Sequence, residues 1–351
     1  MQRLYLATLG YLALSALAPA LAERTGSPLQ PVVMANGRVL PELAVIPRYE
    51  PASIEIAPAV SQNYRMEPAS ASVGFEDSLR YNLERLEVTG YADYGADRFL
   101  DQSRGIVWDI VGAYGLTTAF GLANWDWGSG SFKFESEGWF GDDTRYGGMD
   151  KLGHAYSGYL LTEYFTQRIA HTTSDSAGAA LTGAILGMGV QTYVEVFDGF
   201  SGGHGFSYED LIMDGVGVGF SMLRSTVPGL AEKLDFRMEY LPSGYGEGYS
   251  PASDYSGQKY LLALKLAGFE EFEDTPLRFV EFQVGYFARG FSDEERDAGE
   301  DRRREPYVAI GVNLNELIGA SPVADTTAGL LAGRATEYLQ MPYTYVPTSA
   351  D

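Results

Sequence analysis

AGAALTGAILGMGVQTYV (177–194), followed at once by EVFDGFSGGHGFSYEDLIMDGVGVG (195–219), is the stretch that decides the fold. Its first part carries no charge and is studded with glycine. Its second part breaks at a Gly-rich turn and opens again at Ser207, with Asp210 three residues on, an acidic variant of the capping box. The pattern predicts two helices, over 176–197 and 207–224, joined by a short connection. Glycine inside a helix costs about 0.5–1 kcal/mol relative to alanine. Helices that carry several recover this by close approach, and Gly183 with Gly187 has the small-xxx-small spacing that lets two backbones meet. An uncharged run of this length sits at the lower limit of the ~17–25 residues that cross a bilayer. A soluble core helix and a helix in a membrane are therefore both open.

Working outward, 105–125 is apolar apart from Asp109, and 152–169 reads as a further helix with Asp150 as its N-cap. Beyond about residue 241 the period falls from that of a helix to two. Residues 260–269, 277–288 and 307–314 alternate, with Val280, Phe282, Val284 and Tyr286 on one face and Phe279, Glu281 and Gln283 on the other. In the last run Val308, Ile310, Val312 and Leu314 line up. This is the signature of an antiparallel meander with one buried face. Residues 292–305 read as a charged loop, and 327–339 as a terminal helix followed by an extended end. Three or four strands are too few for an outer-membrane barrel. The fold class expected is α+β, a small-residue-rich bundle of about four apolar helices with an antiparallel β meander packed on one side.

The N-terminus, MQRLYLATLGYLALSALAPALA, has one basic residue, an apolar stretch and a small-residue site at 20–22. It reads as a cleaved signal peptide. Residues 23–103 are rich in proline and expected to have little regular structure, apart from a short strand at 53–57 and helical or turn-like stretches within 76–103. The organisation expected is thus 1–22 signal peptide, 23–103 extended segment, 104–240 helical domain, 241–318 meander and 319–351 tail.

The chain has 351 residues, with 25 Lys+Arg against 47 Asp+Glu, a net charge of -22, three His and no Cys. Hydrophobic residues at 45% exclude wholesale disorder. The acidic balance argues against a nucleic-acid partner. The missing cysteine removes disulfides, thiolate metal sites, a cysteine nucleophile and a lipid-anchored Cys. The protein is therefore expected to be exported to the periplasm, associated with the inner or outer membrane, and not a lipoprotein.

Polar residues recur at helical-neighbour spacing within the apolar helices. Asp150 and His154 are four apart, Glu195 and Asp198 three, Asp210 and Asp214 four, with Lys151, His204 and Ser207 in support. If these pairs converge, His154, Glu195, Asp198 and Asp210 could hold a divalent metal such as Zn, Mn or Fe. Alternatively, all six residues could serve as acid, base or ligand in catalysis. The third reading is a buried polar network that fixes helix register. His171 is expected to be a C-terminal dipole partner.

At EGWFG (137–141), DKLGHAYSGY (150–159), EVFDG (195–199), GFSYEDLIMDGVG (205–217) and DYSGQKY (254–260) the chain resembles a family of predicted periplasmic proteins and lipoproteins of unknown function typified by YfiM. It is more distantly similar to the VanZ-like membrane family. The resemblance covers 105–315 and implies an envelope protein with these polar pairs as signature, without implying an activity. Three functions follow as expectations. One is a noncatalytic envelope protein with a structural or ligand-binding cluster. Another is a metal-assisted or acid–base hydrolase of an envelope lipid, phospholipid or glycan. The last is an interaction module recruiting an envelope protein partner. Whether the protein is an enzyme stays open.

Overall fold

The computed structural model describes residues 94–245 and 251–348. The signal-peptide reading, the strand at 53–57 and most of the proline-rich segment lie outside the described residues. The part of 23–103 that is described already holds a helix, α1 (Ala96–Gly105), which meets α2 (Val107–Asn124) at 78°. The bundle continues with α3 (Met149–Ala170), α4 (Ser176–Asp198) and α5 (Tyr208–Thr226). After a short α6 (Leu230–Lys233) the chain enters a sheet of β1 (Leu234–Tyr240), β2 (Gln258–Lys265), β3 (Val280–Arg289), β4 (Arg303–Val312) and β5 (Tyr345–Pro347). The five strands are antiparallel in the order β1-β2-β3-β4-β5. The fold is α+β. β1 precedes residue 241, and β5 falls within what the sequence suggested was a tail. The stretch read as a charged loop contains α8 (Asp293–Asp297), after α7 (Glu270–Glu273), and the first residues of β4. After β4 come α9 (Leu314–Gly319) and α10 (Thr327–Thr336).

Helix α3 is the axis of the molecule. Its N-cap is Gly148, whose φ of 85° is a left-handed conformation suited to glycine. Asp150 is therefore not the cap, and its carboxylate is released for another partner. Tyr156 and Tyr159 on α3 pack against Phe236 of β1, with Tyr260, Met238 and Tyr338 completing an aromatic core. On the other sides α3 meets α5 and α4 through glycines. A Cβ on Gly217 would stand 1.8 Å from the Ala155 carbonyl oxygen, and one on Gly158 would stand 2.7 Å from that of Asp214. Gly183 and Gly187 of α4 lie as closely on Thr166 and Thr162 of α3. The close approach expected from the glycine spacing is what holds the bundle.

The sheet departs from expectation in two ways. First, it curls. Met238 N–H donates to the Tyr338 carbonyl and Gln340 N–H to that of Met238, so residues 338–340 lie along the outer edge of β1. Five residues later the chain is β5, paired with β4. A flat sheet would place those edges about 24 Å apart, beyond the ~18 Å that five extended residues reach. Closure is visible in the side chains: Lys259 Nζ of β2 donates to Tyr345 Oη of β5 at 2.8 Å across the concave side.

Second, the polar face is the inner one. Asp235, Arg237, Lys265, Glu281 and Gln283 are buried inside the curl, whereas Leu262, Leu264, Phe282, Val284, Val308, Ile310 and Val312 are exposed outside it. The expectation of one buried face did not say which: the Val280–Tyr286 and Val308–Val312 faces turn outward, except near β1, where helix α3 covers the same face. Inside, each carboxylate has a cation. Asp235 takes Arg224, Arg237 and Lys265 at 2.9, 2.6 and 2.7 Å. Glu281 takes Arg237 at 2.8 Å and Glu239 takes Lys259 at 3.0 Å. Glu163 of α3 lies 3.7 Å from Arg224.

Candidate functional site

Three helices deliver the polar residues to one place between them. On α3, Asp150 and His154 are a turn apart. On α5, Asp210 and Asp214 are a turn apart and face α3, because Gly217 and Gly158 let the two backbones touch. On α4, Gln191 and Glu195 repeat the spacing. Ser207 caps α5 by accepting the Asp210 N–H at 3.2 Å, and its own N–H donates to Glu195 Oε2 at 3.3 Å. The reciprocal half of the expected capping box is absent, since the Asp210 carboxylate turns to Lys151 instead.

The cluster has two halves. In one, Lys151 Nζ, buried, donates to Asp150 at 2.8 Å and Glu137 at 2.9 Å, and lies 2.7 Å from Asp210 Oδ1. Glu137 is brought in by the segment before it, which runs beside the α4–α5 connection. Lys133 N–H donates to the Gly199 carbonyl, Phe206 N–H to that of Lys133 and Glu135 N–H to that of Phe206. In the other half, His154 Nδ1 stands 3.1 Å from Asp214 Oδ1 and 3.4 Å from Glu195 Oε1, with its Nε2 3.8 Å from Asp210. Gln191 Nε2 donates to Asp214 Oδ1 and to Ser157 Oγ. Ligand atoms of His154, Glu195 and Asp214 lie within 4.8 Å of one another, as do those of Glu137, Asp150 and Asp210.

The two halves differ in what they lack. Lys151 fills the first with a positive charge. The second has only the imidazole against two buried carboxylates, and Glu195 Oε1 and Asp214 Oδ2 accept no hydrogen bond from the described residues. Electrostatics records this deficit. Burial pushes the Glu195 carboxyl up to about 9; His154 pulls against that rise, and Asp210 and Asp214 add to it. Burial raises Asp214 likewise, against the opposing pull of His154. Burial opposes a charge on His154, but Asp214, Asp210 and Glu195 outweigh it and raise the imidazole well above its usual value. Buried charge without a full partner is costly. The second half must take up either protons or a cation.

The remaining expected site residues lie elsewhere or serve other ends. Asp198 accepts the Trp127 indole N–H at 2.7 Å and does not join the His154 group. Burial raises its pKa, and the Trp127 hydrogen bond, His204 and His154 act against that rise. Asp109 is bound by Arg168 and the Tyr164 hydroxyl. His171 follows α3, but burial, together with Arg168 and Arg334, pushes it down to about 4, so near neutral pH it is uncharged and no cationic dipole partner. Gln191 and Glu137 were missed. Gln191 was legible, four residues before Glu195; Glu137 sits in a loop with no period to mark it.

Residues 136–226, the stretch that builds this cluster, match the model of a family described as "Predicted periplasmic lipoprotein (DUF2279)". That is the likeness the comparisons show. It is narrower than the 105–315 read from the motifs, and it contains every residue of the cluster. The description corrects one expectation. The chain was expected to be no lipoprotein because it has no cysteine, yet its site-bearing stretch matches the model of a family described as predicted periplasmic lipoproteins. Cysteine is one acceptor residue, whereas the match rests on the residues that build the helices. No curated protein and no solved structure matches the chain.

Proposed function

We propose that this is a noncatalytic, cation-binding protein of the cell envelope, in which His154, Glu195 and Asp214 hold a divalent metal. The observation that carries the reading is the unbalanced half of the cluster: two buried carboxylates, each with an oxygen that accepts no hydrogen bond from the described residues, converging on one imidazole. One nitrogen and two carboxylate oxygens are a donor set for Zn, Mn or Fe(II). Inside the sheet, by contrast, Asp235, Glu281 and Glu239 each lie within 3.0 Å of a guanidinium or ammonium group, Arg237 being shared by the first two. Asp210 and Asp150, bound to Lys151, would hold the site by fixing α5 against α3. A binding role suits the burial better than turnover does. Glu195 is 1% exposed, Asp214 is fully buried, and only the His154 side chain, at 21%, reaches the surface.

Association with a membrane is part of the same reading. Its supports are the outward apolar face of the sheet and the exposed Trp108, Val111 and Leu122 of α2. By length and composition α4 could cross a bilayer, as could α1 and α2 taken together, but 56% of the α4 window is buried inside the protein, as a core helix would be.

The metal is tested by calorimetric titration of chelator-treated protein with Zn²⁺ and Mn²⁺. One equivalent is expected to bind and to raise the melting temperature, and His154→Ala is expected to weaken binding by at least about 100-fold, given the weight of one ligand in a three-ligand site. Absence of saturable binding to the folded wild type would sink the proposal and leave a register-fixing polar network.

A further inference from the structure

Arg289 ends β3 and Arg303 begins β4, and the two stand directly opposite in the register. Like charges at opposed positions repel. Among the described residues neither guanidinium has an ion-pair partner: Arg289 Nη1 donates to the carbonyl oxygens of Gln258 at 3.2 Å and Ala288 at 2.8 Å, both neutral. Burial, helped by Arg303, holds Arg289 below its usual value despite the opposing pull of Glu295 and Asp254. Arg289 and Lys259 both lie over the Phe287 ring, 4.8 and 5.2 Å from its centroid. These groups line a pocket at the mouth of the curled sheet. Its acidic members are already engaged. Glu295 accepts from the Ser256 hydroxyl and the N–H groups of Phe291 and Ser292, and Glu300 accepts from the Tyr245 hydroxyl.

We propose that this pocket receives a phosphate-class oxyanion, bridged between Arg289 and Arg303, with the third N–H of Lys259, whose others serve Glu239 and Tyr345, turned to the same anion. Guanidinium forks are matched to such oxygens, and a shared anion turns the repulsion of opposed arginines into attraction. In a chain of net charge -22, general electrostatics would repel the ligand, so binding there has to come from these residues. The anion could be free phosphate or the headgroup of a phosphate-monoester lipid, whose chains would lie beside the apolar outer face of the sheet. The pocket is separate from the His154 cluster and does not depend on its metal.

The test uses the full chain with inorganic phosphate, and with phosphatidylcholine vesicles containing or lacking phosphatidic acid. Phosphate is expected to raise the melting temperature, with Arg289→Gln and Arg303→Gln each weakening binding about tenfold or more, the scale of a lost charge-assisted contact. Without phosphate, Arg303→Gln is expected to melt higher than wild type, because the repulsion is gone; a purely structural arginine would do the opposite. Preference for phosphatidic acid vesicles that is lost in both variants assigns the lipid headgroup. Binding of inorganic phosphate without that preference assigns the free ion. If neither probe binds, if both variants bind like wild type, or if Arg303→Gln melts lower, the proposal is overturned.

Discussion

Glu195 is the residue on which most turns. Its carboxyl, raised by burial from 4.5 to about 9, keeps its proton in the folded protein and loses it in the unfolded chain near the usual value. A raised folded-state pKa stabilises fully below the unfolded value, and that stability drains away as pH rises through the folded one. Asp214 and His154 are shifted in the same direction, so all three act with one sign. Below about pH 6.5 His171, pushed down to about 4, acts with the opposite sign, so the melting temperature of metal-free protein is expected to fall between about pH 6.5 and about pH 9, following the linkage relation. Glu195→Gln, which keeps a neutral side chain at every pH, should flatten part of that slope. Calorimetric scans across the range check it, and an unchanged slope in the variant would show that Glu195 is not the titrating group. A metal competes with those protons, so its stabilising effect should grow over the same range.

At the scale of elements, the α3–α5 contact sets the geometry of the cluster, and Gly217 sets the contact. A methyl group there would meet the Ala155 carbonyl at 1.8 Å, and main chain cannot rotate away as a side chain can. Gly217→Ala is expected to destabilise by about 1–3 kcal/mol, the usual cost of overpacking, and to weaken metal binding by drawing Asp214 back from His154. Gly219→Ala provides the control, because nothing lies within 4 Å of a Cβ at that position. It should gain about 0.5–1 kcal/mol of helix propensity. Urea denaturation of both variants separates packing from propensity. Equal stabilities would mean that the helices can part without loss.

Across the whole molecule, polarity is distributed in reverse over the sheet. Charged groups fill the curl, and a band of Leu264, Phe282, Ile310 and Val346, paired row by row across four strands, faces outward. Apolar surface on this scale usually marks an interaction site. Lipid contact predicts that the protein floats with phosphatidylcholine vesicles and that Val284→Glu together with Ile310→Glu abolishes flotation. Metal binding should survive, since neither side chain approaches the His154 cluster. Flotation undiminished in the double variant would move the lipid contact off the sheet.

The sequence by itself determined the long helices α2 to α5, where α5 starts and which polar residues share a helix face. These follow from local rules: hydrogen bonding within one helix, a cap three residues from its partner, side chains one turn apart. The alternation of β3 and β4 was equally legible, as two faces. Which face goes inside was not, because a period of two separates faces without orienting them. Orientation was decided when residues 338–340 reached back to β1 and closed the curl, setting Arg237 beside Glu281 and leaving Phe282 and Ile310 outside. The same holds at the cluster. Sequence gave pairs on separate helices, but only the packed helices decided that Lys151 satisfies Asp150, Asp210 and Glu137 while His154, Glu195 and Asp214 are left short of positive charge. Partnership between distant residues depends on distances in space, and no spacing along the chain encodes those.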